Sequence, residues 1–506
     1  MKPLALALGL VAVGCRAAPV RVGSKNFTEG VLLGEVATRV CATNGARVEH
    51  RRQLGGTAVL WRALRTGSID AYAEYTGTIT AELVRGADPA DLPALRRALD
   101  AQGIAMTAPL GFENTFALGV PARVAAARGL ATISDLRAHP DLTFALGHEF
   151  LGRADGWPGL RRAYDLAPRD VRGLDHDLAY RALASGAAHV TDLYSTDAEI
   201  ASNHLRALRD DRHYFPDYRA VILYRADLAA RAPACARALD ALAGRIDAPA
   251  MIAMNAAVRV SRRAESEVAA EFLATRLRVA GAAAEPARAE RIAARTREHL
   301  ALVLSSLLAA IACAVPLGVF AARRPRVGAL VLGVAGVLQT IPSLALLVLL
   351  IPLLGIGVGP AVAALFLYSL LPVVQNTVTG LRGIAPSLRE SAEALGLPPR
   401  AMLLRVELPL AMPSILAGVR TAAVISVGTA TLGALVGAGG YGQPIMTGIR
   451  LDATETILEG AVPAAALALG TQAMFGWLER RLVPRGLREG ERAADLRRSA
   501  VVPSSP

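Results

Sequence analysis

At 506 residues the chain is long enough for two or three domains, and its 53% apolar content exceeds what a single soluble globule ordinarily carries, so a membrane part is expected. A formal net charge of +12 could suit a nucleic-acid binder, but that class needs a basic face interleaved with aromatic readers, and aromatics make up only 5% of the chain. Much of the positive charge stands instead at Arg323, Arg324 and Arg326, at Arg382, Arg389, Arg400 and Arg405, and from Arg480 onward, beside long uncharged runs, where arginines kept on the cytoplasmic side of anionic lipid belong.

The opening MKPLALALGLVAVGC sets one cation, Lys2, before a short apolar core and small residues; this is the layout of a secretory signal over 1–15 and too short to span as a helix. Ala12-Val13-Gly14-Cys15 also has the form of a bacterial lipoprotein cleavage box, with Cys15 as the acylated N-terminus held in lipid. Ordinary cleavage nearby and an uncleaved anchor stay open beside it. Residues 19–281 alternate short β-branched runs, near 19–22, 68–72, 115–120, 142–146 and 220–224, with helix-like segments, the pattern of an α/β domain. Its length allows two lobes with a cleft between them, where small ligands usually bind. Cys41, Cys235 and Cys313 have no metal-ligand spacing. A disulfide between Cys41 and Cys235 suits an exported domain, and two buried free thiols suit the sequence equally well. His148-Glu149 lacks the second histidine of a zinc motif, and no nucleophile, base and orienting group stand together, so neither a metal nor a hydrolase is expected.

A linker at 282–298 leads into a membrane domain at 299–480, with spans expected at 300–320, 327–353, 360–380, 412–435 and 456–478. The second contains Gln339-Thr340-Ile341-Pro342-Ser343, a polar break tolerated only where protein or a cavity satisfies the freed backbone, and it reads as one broken span lining a pathway. The arginine-rich connections 321–326 and 381–411 and the tail 481–506 belong in the cytoplasm, which five crossings satisfy. An odd count puts the N-terminal domain outside and the C-terminus inside. Gly437-x-Gly439-Gly440-x-Gly442 matches a dinucleotide fingerprint by letters, but it follows a membrane helix and not a strand, so a tight turn is expected. A phosphate-binding loop needs Gly-Lys-Ser/Thr, and neither of the two lysines, Lys2 and Lys25, stands in that context. The chain itself is expected to hold no cofactor, and ATP and Mg would sit on a separate subunit.

The segment Glu390-Ser391-Ala392, three residues, Gly396, nine residues, then Val406-x-Leu408-Pro409 resembles the signature of ABC importer permeases, with Ser391 and Val406 departing mildly. Ala392 and Gly396, four apart, are expected on one helix face, and Pro409 is expected to end the following helix. In that family such a loop docks in a groove of the nucleotide-hydrolysing subunit. The resemblance implies that ATPase partner and, because one chain offers half a pathway, a second copy of the chain.

In the exported half, Gly23-Ser24-Lys25-Asn26-Phe27-Thr28-Glu29, Leu54-Gly55-Gly56-Thr57, 69–78 (IDAYAEYTGT), 109–118 (PLGFENTFAL), His148-Glu149-Phe150-Leu151, 155–160 (DGWPGL) and 190–197 (VTDLYSTD) resemble the binding proteins of glycine betaine, carnitine and choline importers, in the family's order and at its spacing. The fold implied is a two-lobed α/β periplasmic-type binding domain followed by an all-α polytopic ABC permease in the inner membrane. A quaternary ammonium cannot donate an N–H hydrogen bond, so it is held by aromatic faces, each worth roughly 0.5 to 2 kcal/mol when desolvated. By resemblance the cage uses Tyr75, Phe116, Tyr194 and Tyr218, with Tyr72 a more distant candidate and Thr78 a hydroxyl donor. Arg153 and Lys25 would meet a ligand carboxylate. The family usually has tyrosine where Phe116 stands and asparagine where Glu113 stands. A carboxylate at Glu113, if near the cage, would shift preference towards cations. Two rival readings remain. One keeps transport with ergothioneine as the solute, as in near relatives whose permease and binding domain are also fused. The other is a ligand sensor, against which the coupling loop and the short tail both argue.

Overall fold

The computed structural model describes residues 18–84, 86–279, 287–451 and 453–482. The expected signal with Cys15, part of the linker and the tail beyond 482 lie outside them. The chain divides into two units at residue 284.

The first β-branched run forms β1 (Val20–Gly23), parallel to both β2 (Val48–Arg51) and β3 (Ala71–Tyr75). Phe27, extended at φ −122°, turns the chain into the helix Thr28–Thr43, which buries Val31, Leu32, Leu33, Val36 and Val40. Gly34 is required in that helix because a Cβ there would stand 2.4 Å from His50 Nε2. β4 (Ile104–Met106) completes the outgoing half of the first lobe, and β10 (Ala220–Arg225) returns antiparallel between β3 and β4, giving the order β2-β1-β3-β10-β4.

The second lobe is the intervening chain. β5 (Phe116–Pro121) is flanked antiparallel by β8 (Thr191–Tyr194) and β9 (Leu205–Leu208), while β6 (Thr143–Gly147) runs parallel to β7 (Asp170–Leu174). A bridge from Phe144 to Val190 joins the two pieces just ahead of β8. The two segments that cross between lobes pair with each other: Asn114 N–H donates to Tyr218 O at 2.9 Å, and Glu113 bridges Arg219. The expected runs near 19–22, 115–120, 142–146 and 220–224 fall on β1, β5, β6 and β10, and that at 68–72 reaches only the first two residues of β3.

The sequence left Cys41 and Cys235 open between thiols and a bridge, and the structure has the disulfide. Cys41 lies on the helix Thr28–Thr43 and Cys235 on the helix Pro233–Asp240, fully buried with Cα atoms 4.3 Å apart.

The second unit is helical. Arg288–Arg323, Val358–Arg382, Pro399–Val436 and Thr454–Leu482 are each long and apolar enough to cross a membrane, and Pro325–Thr340 with Ser343–Leu354 is a pair bent by 99° that makes a fifth candidate span. The bend falls at the expected break, and the Ile341 carbonyl freed there accepts a hydrogen bond from the Tyr368 hydroxyl. The first helix starts at Arg288, so much of the expected linker is helical. Small residues let the helices approach closely: a Cβ at Gly318 would lie 2.6 Å from Thr377 Cβ, and one at Gly418 2.6 Å from the Pro372 carbonyl. Gly437, Gly439 and Gly440 take positive φ in a turn between the 3-10 segment Ala430–Val436 and the helix Gly442–Leu451, with no strand before it.

Two expectations about the loop 386–409 are corrected. Gly396 does not share a helix face with the buried Ala392. The helix Pro386–Ala394, which carries Glu390, ends first, and Gly396 at φ +74° forms the left-handed stop, with Gly396 N–H donating to Glu393 O at 2.9 Å and Leu397 N–H to Ala392 O at 3.4 Å. Nor does Pro409 end a helix. It lies inside the continuous helical run Pro399–Val436, just after the π-type turn Leu403–Glu407, whose wider winding makes room for its ring and its missing N–H.

Because the disulfide closes a loop of 194 residues, Cys235→Ser should lower the stability of the first unit by about 2 to 5 kcal/mol. Thermal melting with and without reductant measures this, and an unchanged melting temperature in reductant would show that the bridge contributes nothing.

Candidate ligand-binding site

The first lobe brings three groups to the cleft. β3 ends in Tyr75, the next turn presents Thr78, and the turn after β1 presents Lys25. Lys25 is only 3% exposed, so its charge needs a partner. Its Nζ lies 2.6 Å from Glu74 Oε1 and 3.9 Å from Glu149 Oε1, and 5.5 Å from the centre of the Tyr75 ring. Burial pushes the Glu74 carboxyl up from its ordinary range, with Lys25 working against that shift. For Glu149, burial is outweighed by Lys25 and Arg153, which hold it down to about 2. Just before Lys25, Ser24 Oγ lies 3.0 Å from His50 Nε2, whose Nδ1 is 2.7 Å from Glu35 Oε1. This is the order of nucleophile, base and acid that the sequence did not suggest. Ser24 is 1% exposed and its oxygen also accepts Gln53 N–H, so the line braces the turn that presents Lys25.

The second lobe supplies Phe116 at the start of β5, Tyr194 at the end of β8 and Arg153 after the helix His148–Gly152, while Tyr218 comes from the returning crossover. Phe116 lies 5.1 Å from Tyr194 and 5.5 Å from Tyr218, the latter edge-on at 89°. Tyr194 is backed by His176, ring to ring at 4.3 Å, and His176 spans Asp192 at 3.2 Å and Asp197 at 3.0 Å. Burial opposes a charge on His176, but the two aspartates outweigh it and raise its pKa well above the usual imidazole range. Arg153 donates to Asp155 Oδ1 at 2.8 Å and to Thr78 Oγ1 at 3.0 Å, and Tyr218 donates to the other oxygen of Asp155 at 2.6 Å.

The seven groups line one small cavity of about 10 Å³, the room of a single water, so the cleft is nearly closed over its own side chains. Lys25 and Arg153 both line it, as expected, and each is also paired within the protein, Lys25 with Glu74 and Arg153 with Asp155.

Residues 18–275 match the family model for the substrate binding domain of ABC-type glycine betaine transport system, and residues 314–485 match that for the binding-protein-dependent transport system inner membrane component. The chain belongs to the ABC-type glycine betaine transport family. It joins a substrate-binding domain and an inner-membrane permease in one chain, and is a transporter component rather than an enzyme. Its permease half is similar to the carnitine transport permease protein OpuCB of Listeria monocytogenes, 42% identical over 201 residues, covering 40% of this chain and 92% of that protein. The choline transport system permease protein OpuBB of Bacillus subtilis (strain 168) is 42% identical over 193 residues, 38% of this chain and 89% of that protein. A solved glycine betaine/carnitine/choline ABC transporter structure is 24% identical, with 51% of this chain and 99% of that one covered and a TM-score of 0.43.

Two of the candidates named from the sequence lie outside this cavity. Glu113 does not line the cavity. It is about half exposed and pairs with Arg219 at 3.3 Å, because alternate residues of a bridged segment face opposite sides and its neighbour Asn114 takes the inward position. Tyr72 is fully buried inside the first lobe and also does not line the cavity. Three lining residues escaped the sequence reading: Phe27, Asn114 and Glu149. All three stood in the motifs quoted above. The signal for Phe27 was the scarcity of aromatics itself, and its ring lies 5.1 Å from Tyr194.

Glu113→Asn should therefore leave the affinities for choline and glycine betaine within about twofold of the parent, whereas Phe116→Ala, which removes a ring face, should weaken choline by roughly 3- to 30-fold. Isothermal titration decides; a ligand-selective change in Glu113→Asn would return that residue to the site.

Proposed function

We propose that the chain captures small quaternary-ammonium solutes in the cleft of its first unit and passes them through its membrane unit, driven by ATP and Mg on a separate subunit. The observation that carries this reading is the convergence of ring faces from both lobes on a cavity whose two cations are already neutralised. A trimethylammonium head offers no donor and is attracted by ring faces, so it suits Tyr75, Phe116, Tyr194 and Tyr218. Lobe closure brings the faces together around it. A ligand carboxylate must compete with Glu74, Glu149 and Asp155 for Lys25 and Arg153, so a cation such as choline is favoured over the zwitterions glycine betaine and carnitine.

In this reading the arginine-rich connections are cytoplasmic, the first unit and the C-terminus lie on opposite sides of the membrane, and two copies pair around the pathway. The loop 386–409 supports an ATPase partner on physical grounds, since Leu395 is 80% exposed and Leu388 48%, apolar side chains that gain by burial.

Titration of the full chain in lipid nanodiscs with choline, glycine betaine, carnitine and ergothioneine should give choline the lowest Kd, by about tenfold or roughly 1.4 kcal/mol. Tighter binding of glycine betaine would overturn the charge argument, ergothioneine alone would replace the solute, and no binding at all would overturn the cage.

Gly396→Val should strain the left-handed stop by about 1 to 2 kcal/mol, since a Cβ there meets nothing within 4 Å and the penalty is in the backbone alone. Choline binding should be unchanged while uptake with the cognate ATPase falls at least several-fold. Undiminished uptake would remove this loop from the coupling path.

A further inference from the structure

Glu29 is buried in the first turn of the helix Thr28–Thr43 and does not line the cavity, yet four side chains from four parts of the fold donate to it. Oε1 accepts from the Tyr75 hydroxyl at 2.6 Å and from Asn114 Nδ2 at 2.8 Å. Oε2 accepts from the Thr196 hydroxyl and from Asn255 Nδ2 at 3.1 Å. Tyr75 ends β3 in the first lobe, Asn114 lies on the outgoing crossover, Thr196 follows Tyr194 in the second lobe, and Asn255 sits on the helix Ala248–Arg259. Two amides and two hydroxyls fill the four lone-pair positions of an ionised carboxylate. Burial raises the Glu29 carboxyl above its ordinary range in spite of the bonds from Thr196, Tyr75 and Asn255, but every one of its partners is a donor, and only the ionised form can accept from all four.

The Tyr75 phenol that donates to Glu29 carries the ring over which Lys25 already sits at 5.5 Å. A phenol hydrogen-bonded to an anion is polarised, with more negative charge on its ring, and such a face attracts a cation more strongly. The same carboxyl reaches Thr196, two residues beyond Tyr194, so it spans the two lobes that each contribute a ring.

We propose that Glu29 is the positioning residue of the aromatic cage: it acts through the Tyr75 hydroxyl to make that ring selective for positively charged ligands, and through Thr196 to hold the rings of the two lobes in register. This rests on the quaternary-ammonium reading above. It differs from a brace in being sensitive to the charge of the ligand and not only to its shape.

The test uses the full chain in nanodiscs at pH 8, titrated with choline and with dimethylbutanol, its uncharged carbon isostere. Glu29→Gln should weaken choline by about 3- to 10-fold, within the span of one cation and ring contact, while dimethylbutanol changes by less than about twofold. Tyr75→Phe keeps the ring and cuts the link, so it should show the same selective loss. The double variant should lose no more than either single one, because both break one connection. If Glu29→Gln shows no cooperative melting transition, Tyr75→Phe decides alone. Equal losses for the two ligands, or no loss, overturn the proposal while leaving the importer reading intact. Failure of the parent chain to bind choline overturns that reading and this one together.

Discussion

Lys25 and Arg153 are ions held almost entirely out of water, and the demand that each be paired organises the cleft. An uncompensated charge in such a place costs several kcal/mol. Lys25 answers with Glu74 at 2.6 Å, which fixes the turn after β1 against the end of β3, and with Glu149 of the second lobe at 3.9 Å. Glu149 in turn accepts from the Thr57 hydroxyl at 2.6 Å, so the lobes meet through charge-assisted bonds before any ligand contact is considered. Both cations also lie over rings, Lys25 at 5.5 Å from the centre of Tyr75 and Arg153 at 5.4 Å from that of Phe116, so the ring faces of this cavity already attract positive charge.

The parts of this arrangement that a sequence can disclose are those fixed by local pattern. The runs that became β1, β5, β6 and β10 carry their own periodicity, and Tyr75, Phe116, Tyr194 and Tyr218 stand in motifs of a recognisable order. Side-chain direction was less legible. Glu113 and Asn114 are neighbours, and only the bridge to Arg219 decides which of them looks inward. Glu29 carries no local mark of importance, since its partners lie 46, 85, 167 and 226 residues away. Gly396 misled for a different reason. A spacing of four suggests a shared helix face, but a positive φ ends the helix first, and nothing in the letters distinguishes a small residue kept for packing from one kept for its backbone.

In the membrane unit the same chemistry appears with less water to relieve it. The broken span survives because Tyr368 caps the exposed Ile341 carbonyl, and the long helices draw together where glycine and alanine allow backbone to approach side chain. His299, fully buried, donates from one ring nitrogen to the Val427 carbonyl at 3.0 Å and lies beside Tyr441, while Gly440 N–H donates to Glu298 Oε2 at 2.9 Å, so the first helix is tied to the glycine turn by a polar contact as well as by packing.

The first lobe is built from two stretches of chain with the whole second lobe between them, and this sets an order of events in the cell. A chain made from its N-terminus yields β1 to β4 first, but their sheet lacks β10, which lies between β3 and β4. The second lobe is one unbroken stretch and can fold while the first still waits. Cys41 meets Cys235 only once the helix Pro233–Asp240 has been synthesised, so that bridge cannot form before the chain has returned from the second lobe to the first. Until then Cys41 is a thiol whose native partner has not yet been made, open to any other thiol it meets first.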